Sequence, residues 1–171
     1  KAAKIVQVSY DPLTGLVNRE GFDFFAGQQF LDTKHDSLAH AILHIDIDQF
    51  RVINETVSHD AGDVVIQSVG NLLRCAVRDS DVVARLGADK FGVLLQRCPL
   101  TRAADIAEKL RESIVDLVIP WTTRTLAVTA SIGVAPIDAD TESVAAALAA
   151  AELACEAAKE LGKNSVHCYQ H

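Results

Sequence analysis

Acidic residues stand at two places in this sequence where they could hold a cation. Asp46 and Asp48 end an apolar, strand-like run two residues apart, so strand periodicity directs both side chains to one face of a sheet. Alone, they could equally form a polar strand end. Asp89, however, lies in a tight turn between two further strand-like runs, and a hairpin beside the first strand would bring the acids to one edge. Such an edge suits divalent cations bound to nucleotide phosphates, yet Lys90 directly follows the acid of the turn.

Alternating helices and strands must position these acids. Apolar residues recur at helical spacing in four stretches and form strand-like runs in five more. The predicted helices cover 18–32, 60–78, 103–117 and 144–158, and the predicted strands cover 41–48, 82–86, 91–95, 125–135 and 166–169. The first helix should start from Asn18 as its N-cap and bury the apolar residues Phe22, Phe25, Phe30 and Leu31. This order predicts an α/β (α+β) fold, with a mixed central sheet of about five or more strands flanked by helices.

Composition and charge narrow the possible functions. The 171 residues are 49% hydrophobic and suffice for one domain with a sizeable core. The net charge of −7 argues against nucleic acid binding and against direct membrane contact, since both require a basic field. A phosphate-bearing ligand would therefore be small and locally recognised. Four cysteines without paired metal spacing, and no signal-like or membrane-spanning run, indicate reduced thiols and a cytoplasmic location.

The start of the chain indicates a larger context. The sequence begins at Lys1 and contains no methionine, so we expect it to be excised from a longer multidomain protein. Residues 1–9 are interpreted as the end of a connecting helix, and residues 10–171 as a single domain.

Six short segments follow one another as the signatures of a known family do. They cover 11–19, 45–54, 59–63, 87–91, 131–133 and 158–164. In this order they resemble the GGDEF family, the diguanylate cyclases that condense two GTP into cyclic diguanylate. The resemblance implies a fold like that of nucleotidyl cyclases and polymerase palms, with the signature motif on a β-hairpin, and a role in bacterial cyclic-diguanylate signalling.

The resemblance implies a metal site at the hairpin. Asp46, the carbonyl of Ile47 and the catalytic Asp89 would hold Mg²⁺ when GTP is bound. Gly87 and Ala88, in the turn of the hairpin, would contact the substrate.

The resemblance also implies a nucleotide pocket. Asn54 and Asp63 would bind guanine, whose donors and acceptors suit an amide and a carboxylate. Arg51, Lys159 and Lys163 would lie at the triphosphate, with Lys163 in place of the more usual arginine. Without the resemblance, Asn54 is equally well a turn residue, Asp63 a helix-start acid, and the three cations ordinary solvated charges.

Gly87-Ala88-Asp89-Lys90-Phe91 departs from the family motif because Ala88 replaces its second glycine and Lys90 its second acid. A positive φ at Ala88 would cost about 1–2 kcal/mol. An ammonium roughly 5 Å from a dication is repelled by about 6–7 kcal/mol at an effective dielectric of ~20, an upper bound because lysine can swing away. We therefore expect little or no cyclase activity, and Lys90 could instead bind a phosphate oxygen in place of metal.

A second site is implied at Arg78-Asp79-Ser80-Asp81, which matches the Arg-x-x-Asp inhibitory motif where family members bind cyclic diguanylate. Arginine can bind a guanine edge or a phosphate through two parallel bonds, and aspartate can accept from the base. Lys109 lies where the family often places a second arginine for this ligand. A simple salt bridge at a helix end is the alternative.

Three functions remain open. The first is a regulatory module that binds GTP or cyclic diguanylate and signals to neighbouring domains, namely an upstream sensor and a tandem EAL-type phosphodiesterase. The second is a weakly active diguanylate cyclase, which would have to work as a homodimer. The third is a dimerisation scaffold without ligand. Each would act on the cytosolic side even if the full protein were bound to a membrane.

Overall fold

The computed structural model describes residues 9–36 and 38–169, in which helices and strands alternate along the chain. The helices are α1 (Arg19–Asp36), α2 (Phe50–Thr56), α3 (His59–Ala76), α4 (Leu100–Asp116) and α5 (Val144–Glu160). The strands are β1 (His40–Ile47), β2 (Val82–Gly87), β3 (Lys90–Leu95), β4 (Ile119–Trp121), β5 (Arg124–Leu126), β6 (Ala130–Ile137) and β7 (Val166–Cys168). No described helix is both long and apolar enough to cross a membrane. Residues 1–8 of the predicted connecting helix lie outside the described residues.

Five strands form the central sheet in the order β2-β3-β1-β6-β7. β1 runs antiparallel to both β3 and β6, whereas β7 runs parallel to β6 at the edge. The mixed sheet flanked by helices confirms the predicted fold class, and β2 and β3 form the predicted hairpin.

Helices cover both faces of β1, so this strand is buried along its whole length. Odd-numbered residues such as Ile45 pack in one core with α3 and α4, and Ile42 packs in a second core with α1 and α5. Burial on both faces explains why the strand has a nearly continuous apolar sequence. Asp46 is on the same face of β1 as the even-numbered Ile42, and there it contacts Lys159 at the end of α5.

The first helix differs from its prediction in length and in one buried residue. Asn18 Oδ1 accepts from the Gly21 N–H at 3.0 Å, which confirms the N-cap, but α1 continues to Asp36. Its buried positions are Gly21, Phe22, Ala26, Gln29 and Thr33. Leu31 lies off this stripe and is 52% exposed, so its predicted burial is wrong, while Phe25 and Phe30 are partly buried. Two polar residues occupy helix positions that apolar residues would usually hold, which misleads a prediction from hydrophobicity.

Two further elements differ from the predictions. The predicted strand 125–135 is divided, because Arg124–Leu126 pairs with Ile119–Trp121 around a turn in which Thr122 has φ 52°, and β6 begins only at Ala130. Residues 50–56 form α2, although no helix was predicted there. α2 has seven residues and none of them is fully buried, so its sequence carries no helical periodicity.

Candidate functional site

The hairpin turn is strained and held by an arginine. Gly87 has φ 144° and Ala88 has φ 33°, so the turn does require a positive φ at the alanine, at a cost of about 1–2 kcal/mol. Arg85 donates to the Ala88 carbonyl from Nη2 at 2.8 Å and from Nε at 3.2 Å. Its Nη1 binds Asp11 Oδ1 at 3.2 Å and so ties the turn to the segment before α1. Sequence reasoning assigned no role to Arg85, since Asp11 lies 74 residues away along the chain and the bond to the Ala88 carbonyl depends on the shape of the turn.

Strand pairing brings the acids of the motif together. In the β1–β3 ladder Asp46 lies opposite Lys90, and the Ile47 N–H donates to the Asp89 carbonyl at 3.1 Å. Asp46, Asp89 and Lys90 therefore meet at one edge of the sheet, as the sequence pattern predicts for the two acids.

Two lysines neutralise the buried carboxylate of this edge. The ammonium of Lys159 donates to Asp46 Oδ2 at 2.6 Å, and that of Lys90 donates to the same oxygen at 3.3 Å. Lys90 Nζ also lies 3.5 Å from Asp89 Oδ1. The Asp46 side chain is only 1% exposed, whereas those of Lys90 and Lys159 are 40% and 29% exposed. The charge of Asp46 is thus balanced by the protein itself.

The two carboxyl groups differ in their affinity for a proton. Burial disfavours ionisation of Asp46, but bonds with Lys159 and Asp89 and the charges of both lysines outweigh it and hold the pKa of Asp46 below its usual value. Burial, followed by the hydrogen bond and charge of Asp46, raises the pKa of Asp89. As the pH falls, Asp89 is therefore protonated before Asp46. While Asp89 is ionised, Asp46 Oδ1 is buried without a donor among the described residues.

The donor set does not fit Mg²⁺ in this arrangement. A magnesium ion needs an octahedron of oxygen ligands, usually with one or two carboxylates that are free to bind it. Here one oxygen of Asp46 already faces two ammonium groups, and Lys90 also approaches Asp89. The part of the chain that the structure describes contains no group of three or more His, Cys, Asp or Glu residues able to hold a metal.

Asp48, the second acid of the strand end, is held by hydrogen bonds within the protein. It accepts from Thr129 Oγ1 at 2.7 Å, from Ser131 Oγ at 2.6 Å and from the Asn164 N–H at 2.9 Å. These bonds join the end of β1 to β6 and to the loop after α5, which carries Lys163. Asp48 therefore shapes the site without being available to a metal.

Replacing Asp48 should destabilise the fold. In Asp48→Ala three donors lose a buried acceptor, so we expect the free energy of unfolding to fall by about 3 kcal/mol. Urea denaturation followed by circular dichroism measures this change. Asp105→Ala, at an exposed position of α4, is the matched control and should change stability by less than about 0.5 kcal/mol. A loss below ~1 kcal/mol in Asp48→Ala would show that these bonds contribute little.

The predicted guanine ligands lie where α2 meets α3. Asn54 is half-buried, and a Cβ added to Gly62 would lie only 2.0 Å from Asn54 Oδ1 and 3.0 Å from Phe50 Cζ. The absence of a side chain at Gly62 thus lets Asn54 pack against α3, a role that sequence reasoning missed. Asp63, the next residue along α3, is exposed.

Arg51 and Lys163, the other two predicted phosphate ligands, form no ion pair with Asp46 or Asp89. Arg51 is exposed and binds Glu55 Oε1 at 2.8 Å on the same helix. Lys163 is exposed with φ 64°, in the turn that follows Gly162. Of the three predicted cations, only Lys159 contacts the carboxylate edge.

The predicted inhibitory site contains the salt bridge named as its alternative. Arg78 donates from Nη2 to Asp81 Oδ1 at 2.9 Å and from Nε to Oδ2 at 3.1 Å. Asp81 Oδ1 also accepts from the Gln96 N–H at 2.9 Å. A cavity of about 410 Å³ opens beside this pair and is lined by Lys109 and by Arg102, which sequence reasoning did not select. The structure therefore brings all three predicted residues to one cavity.

Comparison with known proteins agrees with these features. The family model described as "Diguanylate cyclase, GGDEF domain" matches residues 8–165. The probable diguanylate cyclase DgcE of Escherichia coli K12 is 34% identical over 162 residues, which cover 95% of this chain and 15% of DgcE. The chain spans between 15% and 45% of the first three curated relatives that it matches.

Solved structures extend the agreement to the whole fold. The GGDEF domain of DgcB from Caulobacter crescentus, solved in complex with c-di-GMP, has a TM-score of 0.90 at 25% identity and covers 100% of this chain and 99% of that one. The GGDEF domain of PA1120 (TpbB or YfiN) from Pseudomonas aeruginosa has a TM-score of 0.90 at 32% identity and 95% coverage of each chain. The chain therefore belongs to the GGDEF domain family of diguanylate cyclases.

Proposed function

We propose that this GGDEF domain is a regulatory module of cyclic-diguanylate signalling, which binds GTP or cyclic diguanylate but forms little or no product. The observation that carries the proposal is the ammonium of Lys90 on Asp46 Oδ2, 3.3 Å away, where the family would place a metal ligand. An acid at position 90 would add to the attraction for a cation, whereas Lys90 opposes it.

Local charge supports the absence of turnover. Asp46, Asp89 and Glu156 carry at most three negative charges, and Lys90 and Lys159 carry two positive charges beside them. A dication entering this cluster gains little net attraction, because Glu156 is 58% exposed to solvent, and it must displace two ammonium groups from Asp46. Without a metal to neutralise the phosphates, the attack of one nucleotide on the other would lose several kcal/mol of stabilisation.

Two separate regions could hold the ligand. In the first, Asn54 and Asp63 would bind guanine, and Lys159 and Lys163 would bind its phosphates. In the second, the cavity beside Arg78 would bind cyclic diguanylate, and this requires Arg78 to exchange part of its bond with Asp81 for the ligand. We further propose that the domain is cytosolic and pairs with a second copy. In a longer protein it would lie between an upstream sensor and an EAL-type phosphodiesterase and would transmit ligand occupancy to these neighbouring domains.

Calorimetric titration tests the proposal directly. The purified domain is titrated with GTP and separately with cyclic diguanylate, each with magnesium, and the GTP mixture is then analysed by chromatography. We expect binding of at least one ligand and no product above background. Asp63→Ala should weaken GTP binding alone, and Arg78→Ala should weaken cyclic diguanylate binding alone, each by about tenfold or more.

Two outcomes would contradict the proposal. Product above background would favour the weakly active cyclase, because it would show that Lys90 is tolerated. Binding of neither ligand would leave the dimerisation scaffold as the better description. Asp140→Ala serves as the control variant, since this exposed residue lies in the loop after β6, outside both regions.

A further inference from the structure

Lys90 and Lys159 form a pair of cations around one buried atom. Both ammonium groups donate to Asp46 Oδ2, so their nitrogens are at most about 6 Å apart. That separation allows neighbouring oxygens of one polyphosphate to contact both. Asp46 is buried and fixed within β1, and it therefore acts as an anchor that holds the two flexible side chains in place.

Both lysines retain hydrogen-bonding capacity toward solvent. Each ammonium has three N–H donors, and the contacts with Asp46 and Asp89 leave part of this capacity free. The side chains of Lys90 and Lys159 are 40% and 29% exposed, so an incoming anion can reach them.

The two ammonium groups are more exposed than the carboxylate that anchors them, because Asp46 lies buried behind them. Lys163 stands in the turn after α5, close in sequence to Lys159, and adds a third positive charge on this side of the molecule. Asp46, Asp89 and Glu156, whose Oε1 lies 3.7 Å from Lys159 Nζ, are the opposing acids. A nucleoside triphosphate, with three to four negative charges, would therefore be held by direct contacts with the ammonium groups and not by an excess of positive charge.

We infer that Lys90 and Lys159 together replace the divalent cation, so that the domain binds the phosphates of a nucleoside triphosphate without metal. The inference rests on the proposed function, because it specifies how GTP would be held there without turnover. With an acid at position 90, a metal would be needed between the carboxylate and the phosphate. With Lys90, the ammonium contacts the phosphate directly.

The test compares GTP titrations of the domain in EDTA and in excess Mg²⁺. For the unaltered domain we expect the dissociation constant in EDTA to lie within about threefold of that in Mg²⁺, or below it. Lys90→Ala should weaken binding in EDTA by about tenfold or more, because a charge-assisted contact is lost. Lys90→Glu should lose binding in EDTA and recover it in Mg²⁺. Lys34→Ala, on α1 and outside the site, is the matched control and should leave both constants unchanged.

Each outcome separates this inference from the proposed function. If the unaltered domain binds GTP only with Mg²⁺, the inference is wrong while the regulatory module stands. If it binds GTP in neither condition, the inference fails, and a parallel titration with cyclic diguanylate decides whether the proposed function fails as well. The comparison of EDTA with Mg²⁺ needs no substitution, so it remains decisive even if a variant does not fold. Equal binding by Lys90→Ala and the unaltered domain in EDTA would also overturn it.

Discussion

The double variant Lys90→Glu with Ala88→Gly should form cyclic diguanylate from GTP at least about 100-fold faster than the unaltered domain. Lys90→Glu removes an ammonium that binds Asp46 and adds a carboxylate, which creates the excess negative charge that a divalent cation needs. Ala88→Gly relieves a residue held at φ 33°. A gain of 100-fold corresponds to only ~3 kcal/mol of transition-state stabilisation, within what a bound metal supplies. Chromatography of the reaction with Mg²⁺ measures product directly.

Single variants show how much of the gain in activity comes from the charge at position 90 and how much from the backbone at position 88. Ala88→Gly alone should stay near background, because Lys90 still binds Asp46. Lys90→Gln removes the positive charge without adding an acid, so its activity should lie well below that of Lys90→Glu. The family resemblance implies that two facing domains each hold one nucleotide, and on that basis the specific activity of the double variant should rise with protein concentration.

Two other outcomes would show that Lys90 and Ala88 are not what prevents product formation. If the double variant gains magnesium-dependent GTP binding but still forms no product, the block lies outside the motif. Lys163, which stands where the family more often has an arginine, would then be the next position to restore. If the unaltered domain already forms product at a comparable rate, the assigned role of Lys90 is wrong.

The pattern of strands allows the meeting of Asp46 with Asp89 to be predicted from sequence. An apolar run ending in acids and a hairpin with an acid in its turn are local features, and the family order of the segments places them side by side. The motif has a glycine at position 88, so the sequence indicates that Ala88 would be strained if the turn required a positive φ there, and the structure has φ 33° at this residue.

Contacts between distant parts of the chain could not be predicted in the same way. Lys90 was expected to swing away from a metal, but the β1–β3 register places it opposite Asp46, and register is a property of the folded sheet. Asp48 binds Thr129 and Ser131, which lie 81 and 83 residues further along the chain. Short polar side chains carry no periodic signal, so only the paired strands reveal that Asp48 holds β6 in place.

Gly133→Ala should be the most damaging small substitution in the sheet, lowering the free energy of unfolding by about 3 kcal/mol or more. A Cβ at Gly133 would lie 2.2 Å from the Ala151 carbonyl oxygen and 2.2 Å from the Cys155 nitrogen. Both atoms belong to the backbone of α5, so no side-chain rotation can relieve the overlap and the helix would have to move away from β6. Thermal unfolding should occur roughly 10 °C lower. Because α5 carries Lys159, the same movement should also weaken its 2.6 Å contact with Asp46.

Substitutions at two other glycines test whether the loss of stability depends on the atoms around the added Cβ. A Cβ at Gly92 would meet the ring of Phe22 at 2.6 Å, and a ring can turn or shift where backbone cannot, so Gly92→Ala should cost less than Gly133→Ala. Gly27 lies within α1 and has nothing within 4 Å of an added Cβ, so Gly27→Ala should be stabilising by about 0.5–1 kcal/mol through helix propensity. Equal losses in all three variants would show that glycine flexibility matters more than the approach of α5. If Gly133→Ala is the most destabilising of the three, close packing of α5 on β6 is what requires this glycine of the 131–133 signature. The same packing places Lys159 beside Asp46.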